Sequence, residues 1–314
     1  MYLFSNILGV FVFDENLNLA DEALSGNPDD HQSRENFIKK IRDKHKNLKE
    51  PDKEKLKKIL LNFKDKKFFD GFYNKNLEWT KYGIKNSVGP DTLLMQSINS
   101  VDELEKTINI LVKRLRGWYE LHNPEFSISI ANHENFVEQI LENEKNDLLS
   151  ELKLSPSESV GADLNQEDLE PIKWLAHQVY GMYQLRKSQL EYLSNLMDGL
   201  CPNIKALSGV LIGARLIEHA GSLKRLSQMP ASTIQVLGAE SALFRHMRTG
   251  ARPPRHGIIV HHDLIANAPD KMHGRIARAL ADKISIASKV DYFQGKFIGD
   301  TLRKELEKKF NLQK

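Results

Sequence analysis

Residues 164–200 carry the pattern that most restricts the fold of this 314-residue chain. Apolar side chains recur there at three- and four-residue steps around one gap. They are Leu175, Val179, Met182, Leu190, Leu193 and Met197. The spacing predicts one helix of roughly 37 residues, about 55 Å long at the usual rise per residue. Such a helix needs a partner, because its apolar seam must be buried.

A second helical pattern, over residues 132–152, precedes this segment. The stretch SPSESVGAD, which contains Pro156 and Gly161, separates the two patterns. The sequence therefore predicts a long helical hairpin. The seam of the long helix could be covered by the other arm of the hairpin, by a second copy of the chain, or by both.

The N-terminal part combines strand and helix signals. The apolar run ILGVFVF, a polar turn at residues 14–16 and the alternating LNLAD predict a pair of strands within residues 1–25. Further on, four apolar residues predict a helix that ends near the sequence RLRGWYELHNPEF. They are Leu104, Ile108, Leu111 and Leu115. We place the first domain boundary at this point, and expect an α+β domain over residues 1–120.

A lysine-rich run, KHKNLKEPDKEKLKKILLNFKDKK, covers residues 44–67. It could be a nucleic-acid site or the solvated face of a helix. We favour the solvated face, because acids interrupt the run and four apolar residues mark a buried stripe. They are Leu56, Ile59, Leu60 and Phe63.

The last third is expected to be all-helical. Small residues in LSGVLIGARLIEHAGSLKRL predict one helix whose neighbours approach closely. Pro269 marks the first turn of another helix, which has Ile276, Leu280, Ile284 and Ala287 on one face. No long alternation of strands and helices appears, so a doubly wound sheet is not expected. The expected fold class is mainly α, with a small α+β N-terminal domain, a long antiparallel coiled-coil hairpin and an all-helical C-terminal domain.

The charges are distributed unevenly along the chain. Overall, 45 Lys and Arg residues nearly balance 42 Asp and Glu residues. Residues 201–314 contain 19 bases and 9 acids, a net charge of +10, whereas residues 1–200 carry a net charge of −7. A surface for an anionic partner is therefore expected in the C-terminal part.

Several classes of function lack their signals. The single cysteine, Cys201, excludes an intramolecular disulfide and a cysteine-cluster zinc site, and it fits a reducing cytoplasm. The glycine-containing stretches GVLIGARL and SVGADL lack the strand-turn-helix context of a nucleotide site. His261 and His262 are adjacent, so their side chains diverge and no metal site is expected. We expect neither a signal peptide nor a membrane span.

Residues 237–257, LGAESALFRHMRTGARPPRHG, gather four arginines. The sequence predicts a short helix over residues 240–249 that stops at Gly250. Arg245 and Arg248 would share one face of it, whereas Leu243 and Met247 could turn to the core.

Beyond this helix, Pro253 and Pro254 stiffen the loop from which Arg252 and Arg255 project. Guanidinium groups match phosphate in a bidentate way. Glu240 opposes such a role, since an acid near a helix N-terminus competes with phosphate for that positive end. The spacing alone leaves two interpretations open: solvated arginines, or a nucleic-acid surface.

Longer motifs carry a family resemblance. The sequences MPASTIQVLGAESALFRHMRTGARPPRHGII and GRIARALADKISIASKVDYFQG resemble the Nop domain of the archaeal box C/D ribonucleoprotein core protein. This family includes two eukaryotic nucleolar Nop proteins and a spliceosomal factor. The motifs SVGADL, CPNIKAL, GARLIEHAGSLKRL and RLRGWYELHNPEF extend the resemblance, which covers about residues 111–310.

The resemblance implies a scaffold and not an enzyme. Residues 1–120 would bind fibrillarin, the methyltransferase that carries S-adenosylmethionine, so that no cofactor is expected on this chain. Residues 121–203 would form a coiled coil that pairs with a second copy. Residues 204–314, the Nop domain, would bind kink-turn RNA together with its kink-turn-binding protein. The assembly would direct 2′-O-methylation of ribosomal or transfer RNA by a guide RNA.

The resemblance also implies site residues. Arg245, Arg248, Arg252 and Arg255 would contact RNA phosphates, with His246 and His256 as stacking or hydrogen-bonding groups. The family usually reads GAEKALFRHL, so Ser241 stands where a lysine is common, and a hydroxyl would replace a charged phosphate contact.

Two alternatives remain: a spliceosomal-type assembly factor without a methyltransferase partner, and a chain that is itself a methyltransferase. The chain stops soon after Phe310 without a lysine-rich tail, which favours an archaeal source. A cytoplasmic location is expected, in keeping with the single cysteine.

Overall fold

The computed structural model describes residues 1–24, 31–45 and 48–310, without the side chains of residues 31–37 and 67. Two compact units, Met1–Gly89 and Pro90–Lys314, make up the chain. This division precedes the first domain boundary predicted from the sequence, which was at residue 120. The predicted helix around Leu104 to Leu115 packs within the second unit, because its apolar face meets the long helix there.

The first unit contains a three-stranded antiparallel sheet in the order β1-β2-β3, followed by helices. Its elements are β1 (Tyr2–Asn6), β2 (Gly9–Phe13), β3 (Leu19–Leu24), α1 (His31–Lys44), α2 (Lys53–Asn62) and α3 (Lys66–Asn86).

The sheet has three strands where the sequence predicted a pair. The first two residues of the apolar run ILGVFVF form a turn between β1 and β2, so that only Gly9–Phe13 of the run forms a strand. The Asn6 side chain accepts the Leu8 N–H at 2.9 Å and forms this turn. At Gly9 an added Cβ would lie 2.1 Å from the Ala23 carbonyl oxygen, so the close approach of β3 requires glycine.

The central strand β2 is buried on both faces. Phe11 and Phe13 pack with Ile59 on one face. Val10 and Val12 pack with Ile41 on the other. The lysine-rich helix α2 therefore contributes Ile59 to the core. Leu60, expected in the buried stripe, is 48% exposed, because the sheet covers a narrower face of α2 than the pattern suggested.

The second unit is helical throughout the part that the structure describes, apart from loops and two short 3₁₀ turns, Pro156–Glu158 and Ile258–His261. Its helices are α4 (Pro90–Tyr119), α5 (Pro124–Ser129), α6 (His133–Glu142), α7 (Lys145–Glu151), α8 (Gln166–Leu200), α9 (Pro202–Ser208), α10 (Val210–Ala220), α11 (Leu223–Gln228), α12 (Ala231–Val236), α13 (Glu240–Thr249), α14 (Asp263–Ala266), α15 (Asp270–Tyr292) and α16 (Gly299–Lys309). Each helix in the described ranges is too short or too polar to span a bilayer.

The long helix predicted near residues 164–200 is α8, and its partner in an antiparallel hairpin is α4. Residues near the end of α4, such as Val112, pack against residues near the start of α8, such as Ala176. Leu94, near the start of α4, shares a core with Met197, near the end of α8. The hairpin exists, but its second arm precedes the segment that the sequence indicated.

That segment, residues 132–152, forms the two short helices α6 and α7. The chain becomes extended at Asn143, where the helix stops. Buried residues of α6, including Phe136 and Ile140, cover the apolar residues at the start of α8. These helices therefore pack on the hairpin and do not form one of its arms.

The single helix predicted over LSGVLIGARLIEHAGSLKRL is three helices, α9, α10 and α11. Gly209 and Gly221 adopt φ values of +77° and +82°, which interrupt the helix at both points. The core-facing residues predicted for α15 are correct, since Ile276, Leu280 and Ile284 are buried. The predicted fold class is confirmed.

Candidate RNA-binding surface

Helix α13 forms over the residues that the sequence predicted. It ends at Gly250, which has a φ of +68° and donates its N–H to the His246 carbonyl. At its start, the Glu240 carboxylate accepts the Gly238 N–H at 2.8 Å and lies 3.8 Å from Nδ1 of His219. The one acid of the segment is therefore held at the N-terminal end of α13.

No residue of α13 is buried. Leu243 is 37% exposed, Phe244 62% and Met247 73%. The expectation that Leu243 and Met247 turn to the core is therefore wrong. Leu237 and Ile259, which precede and follow α13 in the chain, are buried in the core, whereas no residue of α13 belongs to it, so α13 lies outside that core.

Two exposed faces of α13 lie side by side. Ser241, Arg245 and Arg248 are spaced four and three residues apart and share one face. Leu243, Phe244 and Met247 form the adjacent face, which we call the apolar face. The half-buried Ala242 and His246 point to the remaining side. A cationic surface and an apolar surface thus meet on one short helix.

The loop after α13 is tied to the helix by His246. Its Nδ1–H donates to the Ala251 carbonyl, so this half-buried ring holds the chain where it leaves α13. The Thr249 hydroxyl donates to the Arg245 carbonyl at 2.8 Å. Of the predicted contact residues, His246 therefore already has a structural partner on one ring nitrogen.

The far end of the arginine loop, residues 250–257, is also fixed. The Gln235 amide donates to the Arg255 carbonyl at 2.7 Å, and the Gly257 N–H donates to the Gln235 carbonyl at 2.8 Å. A Cβ at Gly257 would lie 1.9 Å from the Leu237 oxygen, which excludes a side chain there. Both ends of this loop are therefore held by hydrogen bonds.

Arg245, Arg248, Arg252 and Arg255 are all exposed. None of them forms an ion pair with a residue in the described ranges. Four uncompensated guanidinium groups on a fixed backbone suit an anionic ligand such as phosphate.

His256 differs from the arginines. It is half-buried, and its ring packs edge-on against His273 at a centroid distance of 6.2 Å. Burial, and then the electrostatic influence of the neighbouring His273 and Arg255, lower the pKa of His256. This environment favours the neutral ring, which suits hydrogen bonding or stacking better than charge pairing.

Residues 100–312, which contain this surface, match the family model described as Nop: snoRNA binding domain, fibrillarin. The chain belongs to the Nop family.

Several proteins resemble this Nop-family chain. An uncharacterized NOP5 family protein of Methanocaldococcus jannaschii is 42% identical over 260 residues, covering 77% of this chain and 63% of that protein. Nucleolar protein 58 of Coccidioides immitis is 40% identical over 215 residues, covering 64% and 35%. Nucleolar protein 56 of Caenorhabditis elegans is 38% identical over 241 residues, covering 69% and 50%. The chain thus spans between about a third and two thirds of these relatives.

Among solved structures, a chain of a crystal structure of a fibrillarin/Nop5p complex aligns with 99% of this chain and 100% of its own length. The TM-score is 0.46 and the sequence identity is 20%.

The residues of this Nop-family chain that could have suggested metal do not converge. His262 is buried, and its Nε2 lies 3.0 Å from the Leu207 carbonyl, whereas His261 is exposed. Within the described residues, no group of three or more His, Cys, Asp or Glu side chains could hold a metal ion.

Sequence reasoning missed the apolar face of α13. Its spacing is the same as that of a helix face that packs on its own core, so the pattern could not distinguish the two cases. A weaker signal was available, because Gly238 and Gly250 bracket the helix and isolate it from longer apolar runs.

Proposed function

We propose that this chain is the non-catalytic scaffold of a box C/D guide ribonucleoprotein. Its Nop domain binds kink-turn RNA that already carries the kink-turn-binding protein. The observation that supports this most is the pair of adjacent faces on α13, one cationic and one apolar.

Each face calls for a different partner. RNA phosphates neutralise Arg245 and Arg248, which have no ion-pair partner in the described chain. Phe244 and Met247 gain nothing from phosphate, but an apolar protein surface would bury them. The alternative of solvated arginines accounts for the first face and leaves the second unexplained. A composite of RNA and protein accounts for both.

Fibrillarin is the proposed partner of the N-terminal part, residues 1–120. The family model's description names fibrillarin. Helix α3 in this part exposes Phe69, Tyr73, Leu77 and Ile84 along one side. Exposed apolar surface of this extent is typical of a protein-binding site. Fibrillarin would carry S-adenosylmethionine and perform 2′-O-methylation of ribosomal or transfer RNA, with a guide RNA choosing the target.

A second copy of the chain is the proposed partner of the hairpin. The outer side of α8 exposes Trp174, Leu185 and Tyr192, with Gly181 between them on the same side. The spacing of seven, four and seven residues is that of a helix-packing seam. This surface is separate from the seam that α4 covers.

Reconstitution tests the whole proposal. Methyl transfer to a target RNA should require this chain, fibrillarin, the kink-turn-binding protein and a guide RNA together, and should stop when any one is omitted. Transfer by this chain with S-adenosylmethionine alone would make it the enzyme. A complex with kink-turn RNA and its protein that never retains fibrillarin would favour the spliceosomal type. We propose a cytoplasmic location, supported by the archaeal relative.

The RNA contact has its own test. Arg245→Ala with Arg248→Ala should weaken binding to protein-loaded kink-turn RNA and flatten the plot of log K against log salt, because fewer counterions are released. Ser241→Lys should steepen that plot by about 0.7 to 0.9 per added phosphate contact. Unchanged slopes in both variants would remove α13 from the RNA interface.

A further inference from the structure

A second exposed stripe runs along α15, on the side opposite its buried face. Its residues follow each other at steps of three or four, so that they line one side of the helix. They are Lys271, Arg275, Arg278, Asp282, Ile286, Lys289 and Phe293, all exposed. We call them the outer stripe. At the usual rise per residue it is about 33 Å long.

The outer stripe is strongly cationic. Four of its residues are bases and one is an acid, and none of the four bases pairs with an acid in the part of the chain that the structure describes. Nearby basic residues, by contrast, form ion pairs. Lys283, also on α15, pairs with Glu305, and Arg303 on α16 pairs with Glu307 at 3.1 Å. A face that merely interacts with water usually mixes both signs of charge.

Aromatic side chains lie at the C-terminal end of the outer stripe. Phe293 is 76% exposed, and Phe297, after the exposed Lys296, is 53% exposed. Large apolar rings with this much exposure carry a hydration cost that a stacking partner would relieve.

The backbone beneath these rings is fixed. The Gly295 N–H donates to the Val290 carbonyl at 2.8 Å, and the Ile298 N–H donates to Oδ1 of Asn203 at 2.6 Å. The Asn203 amide in turn donates to the buried Asp291 carboxylate at 2.6 Å. The loop that carries Phe297 is therefore held at both ends.

A row of basic side chains with an exposed aromatic ring at its end is typical of a surface that binds a single-stranded nucleic acid. Cationic side chains follow the phosphates, and an aromatic ring stacks on an unpaired base whatever its identity. The phosphates of a duplex would neutralise the basic side chains. A duplex would nevertheless leave Phe293 exposed, because its nucleobases are already stacked on one another.

We infer that the outer stripe of α15 binds single-stranded RNA, with phosphates along Lys271, Arg275, Arg278 and Lys289 and an unpaired base on Phe293. The site is distinct from the α13 surface. His273, which contacts His256 of the arginine loop, lies on the opposite side of α15 from the stripe. The inference depends on the proposed function only in that this chain acts on RNA.

The first experiment measures binding of the full chain to an unstructured 20-nucleotide uridine RNA by fluorescence anisotropy over a salt series. Arg275→Ala with Arg278→Ala should lower the slope of log K against log salt by about 1.4, at about 0.7 per phosphate of a single strand. Lys57→Ala with Lys58→Ala removes the same charge from exposed positions of α2 and should leave the slope unchanged. Equal slopes for the wild type and the α15 variant would overturn the inference.

The second experiment tests stacking. Phe293→Leu should weaken binding of the uridine RNA about 10-fold, and Phe293→Trp should retain it, because stacking requires an aromatic ring. Equal binding by both variants would exclude stacking on residue 293. These substitutions leave the core intact, since the side chain is largely exposed.

A third measurement separates the two sites. A short kink-turn RNA loaded with its protein should bind the Arg275/Arg278 variant as well as the wild type, and the Arg245/Arg248 variant more weakly. If the wild type binds the short complex but not the uridine RNA, the outer stripe is not an RNA site and the α13 proposal stands. The reverse result would remove the α13 proposal and leave the outer stripe.

Discussion

The Arg116 Nε–H donates a hydrogen bond of 2.8 Å to Nδ1 of His133. The same guanidinium donates to the carbonyls of Ser127 and Ile130, each at 2.6 Å, and lies 4.2 Å from the centre of the Phe136 ring. Arg116 thus joins the end of α4 to α5 and α6. Because Nδ1 of His133 must accept, this arrangement requires a neutral imidazole. Burial, and then the charges of Arg116 and Lys113, lower the pKa of His133.

This contact predicts a loss of stability in acid. An imidazole whose pKa is lowered by folding contributes stability above its unfolded pKa of about 6.5, and that contribution disappears as the pH falls through the folded pKa. We expect the free energy of unfolding to decrease between pH 7.5 and pH 5 more steeply in the wild type than in His133→Gln, whose amide oxygen can accept without titrating. Parallel curves from chemical denaturation of the two proteins would contradict this.

Removal of the guanidinium should be costly. Arg116→Ala leaves the carbonyls of Ser127 and Ile130 without this donor, and hydrogen bonds to a charged group contribute about 1.5 to 3 kcal/mol each. We expect a loss of about 3 kcal/mol in the free energy of unfolding. Arg114→Ala, an exposed neighbour on α4, should change it by less than about 0.5 kcal/mol. Similar losses in the two variants would show that the contacts of Arg116 are not responsible.

Asp291 is predicted to hold the C-terminal helices together. Its buried carboxylate accepts the N–H groups of Asn203 and Ile204 at 3.1 and 2.9 Å, and burial raises its pKa. Asp291→Ala should lower the free energy of unfolding by about 3 kcal/mol, because buried donors lose their acceptor. The exposed Asp282→Ala is the matched control on the same helix. Thermal denaturation of both variants measures the difference, and an unchanged Asp291→Ala would refute the role.

The apolar face of α13 should affect binding and not stability. Phe244→Ser with Met247→Ser is expected to change the free energy of unfolding by less than about 0.5 kcal/mol, since both side chains are largely exposed. The same variant should bind protein-loaded kink-turn RNA at least about 10-fold more weakly, because an interface core loses its apolar contacts. Titration calorimetry with the loaded RNA measures this. Wild-type affinity would show that no protein covers this face.

The outer side of α8 should mediate self-association. Leu185→Arg places a charge on an exposed seam that carries Trp174 and Tyr192, and burying it in a second copy would be unfavourable. We expect light scattering to show a dimer for the wild type and a monomer for the variant. Gln178→Arg, which replaces a polar residue on the same side of α8, should reduce dimerisation less than Leu185→Arg. A monomeric wild type at high concentration would count against the second copy.

Sequence by itself determined the elements whose causes are local. The apolar spacing of residues 164–200 predicted α8, and Gly250 predicted the end of α13, because periodicity and helix caps act over a few residues. The arginines that project from α13 and its loop followed from the same local geometry. Gly209 and Gly221 interrupt what the sequence predicted to be one longer helix. Glycine permits such a break, but the pattern alone could not show that these two residues adopt positive φ values.

What covers each helix face was decided by tertiary structure. Leu243 and Met247 have the same spacing as Leu280 and Ile284, but the first pair is exposed and the second buried, because α15 packs in the C-terminal core and α13 contributes no residue to it. Likewise the long arm that pairs with α8 is α4, whereas residues 132–152 pack on the start of α8 as two short helices. An apolar seam in the sequence indicates that this face of the helix must be buried. Which segment buries it depends on how the whole chain folds.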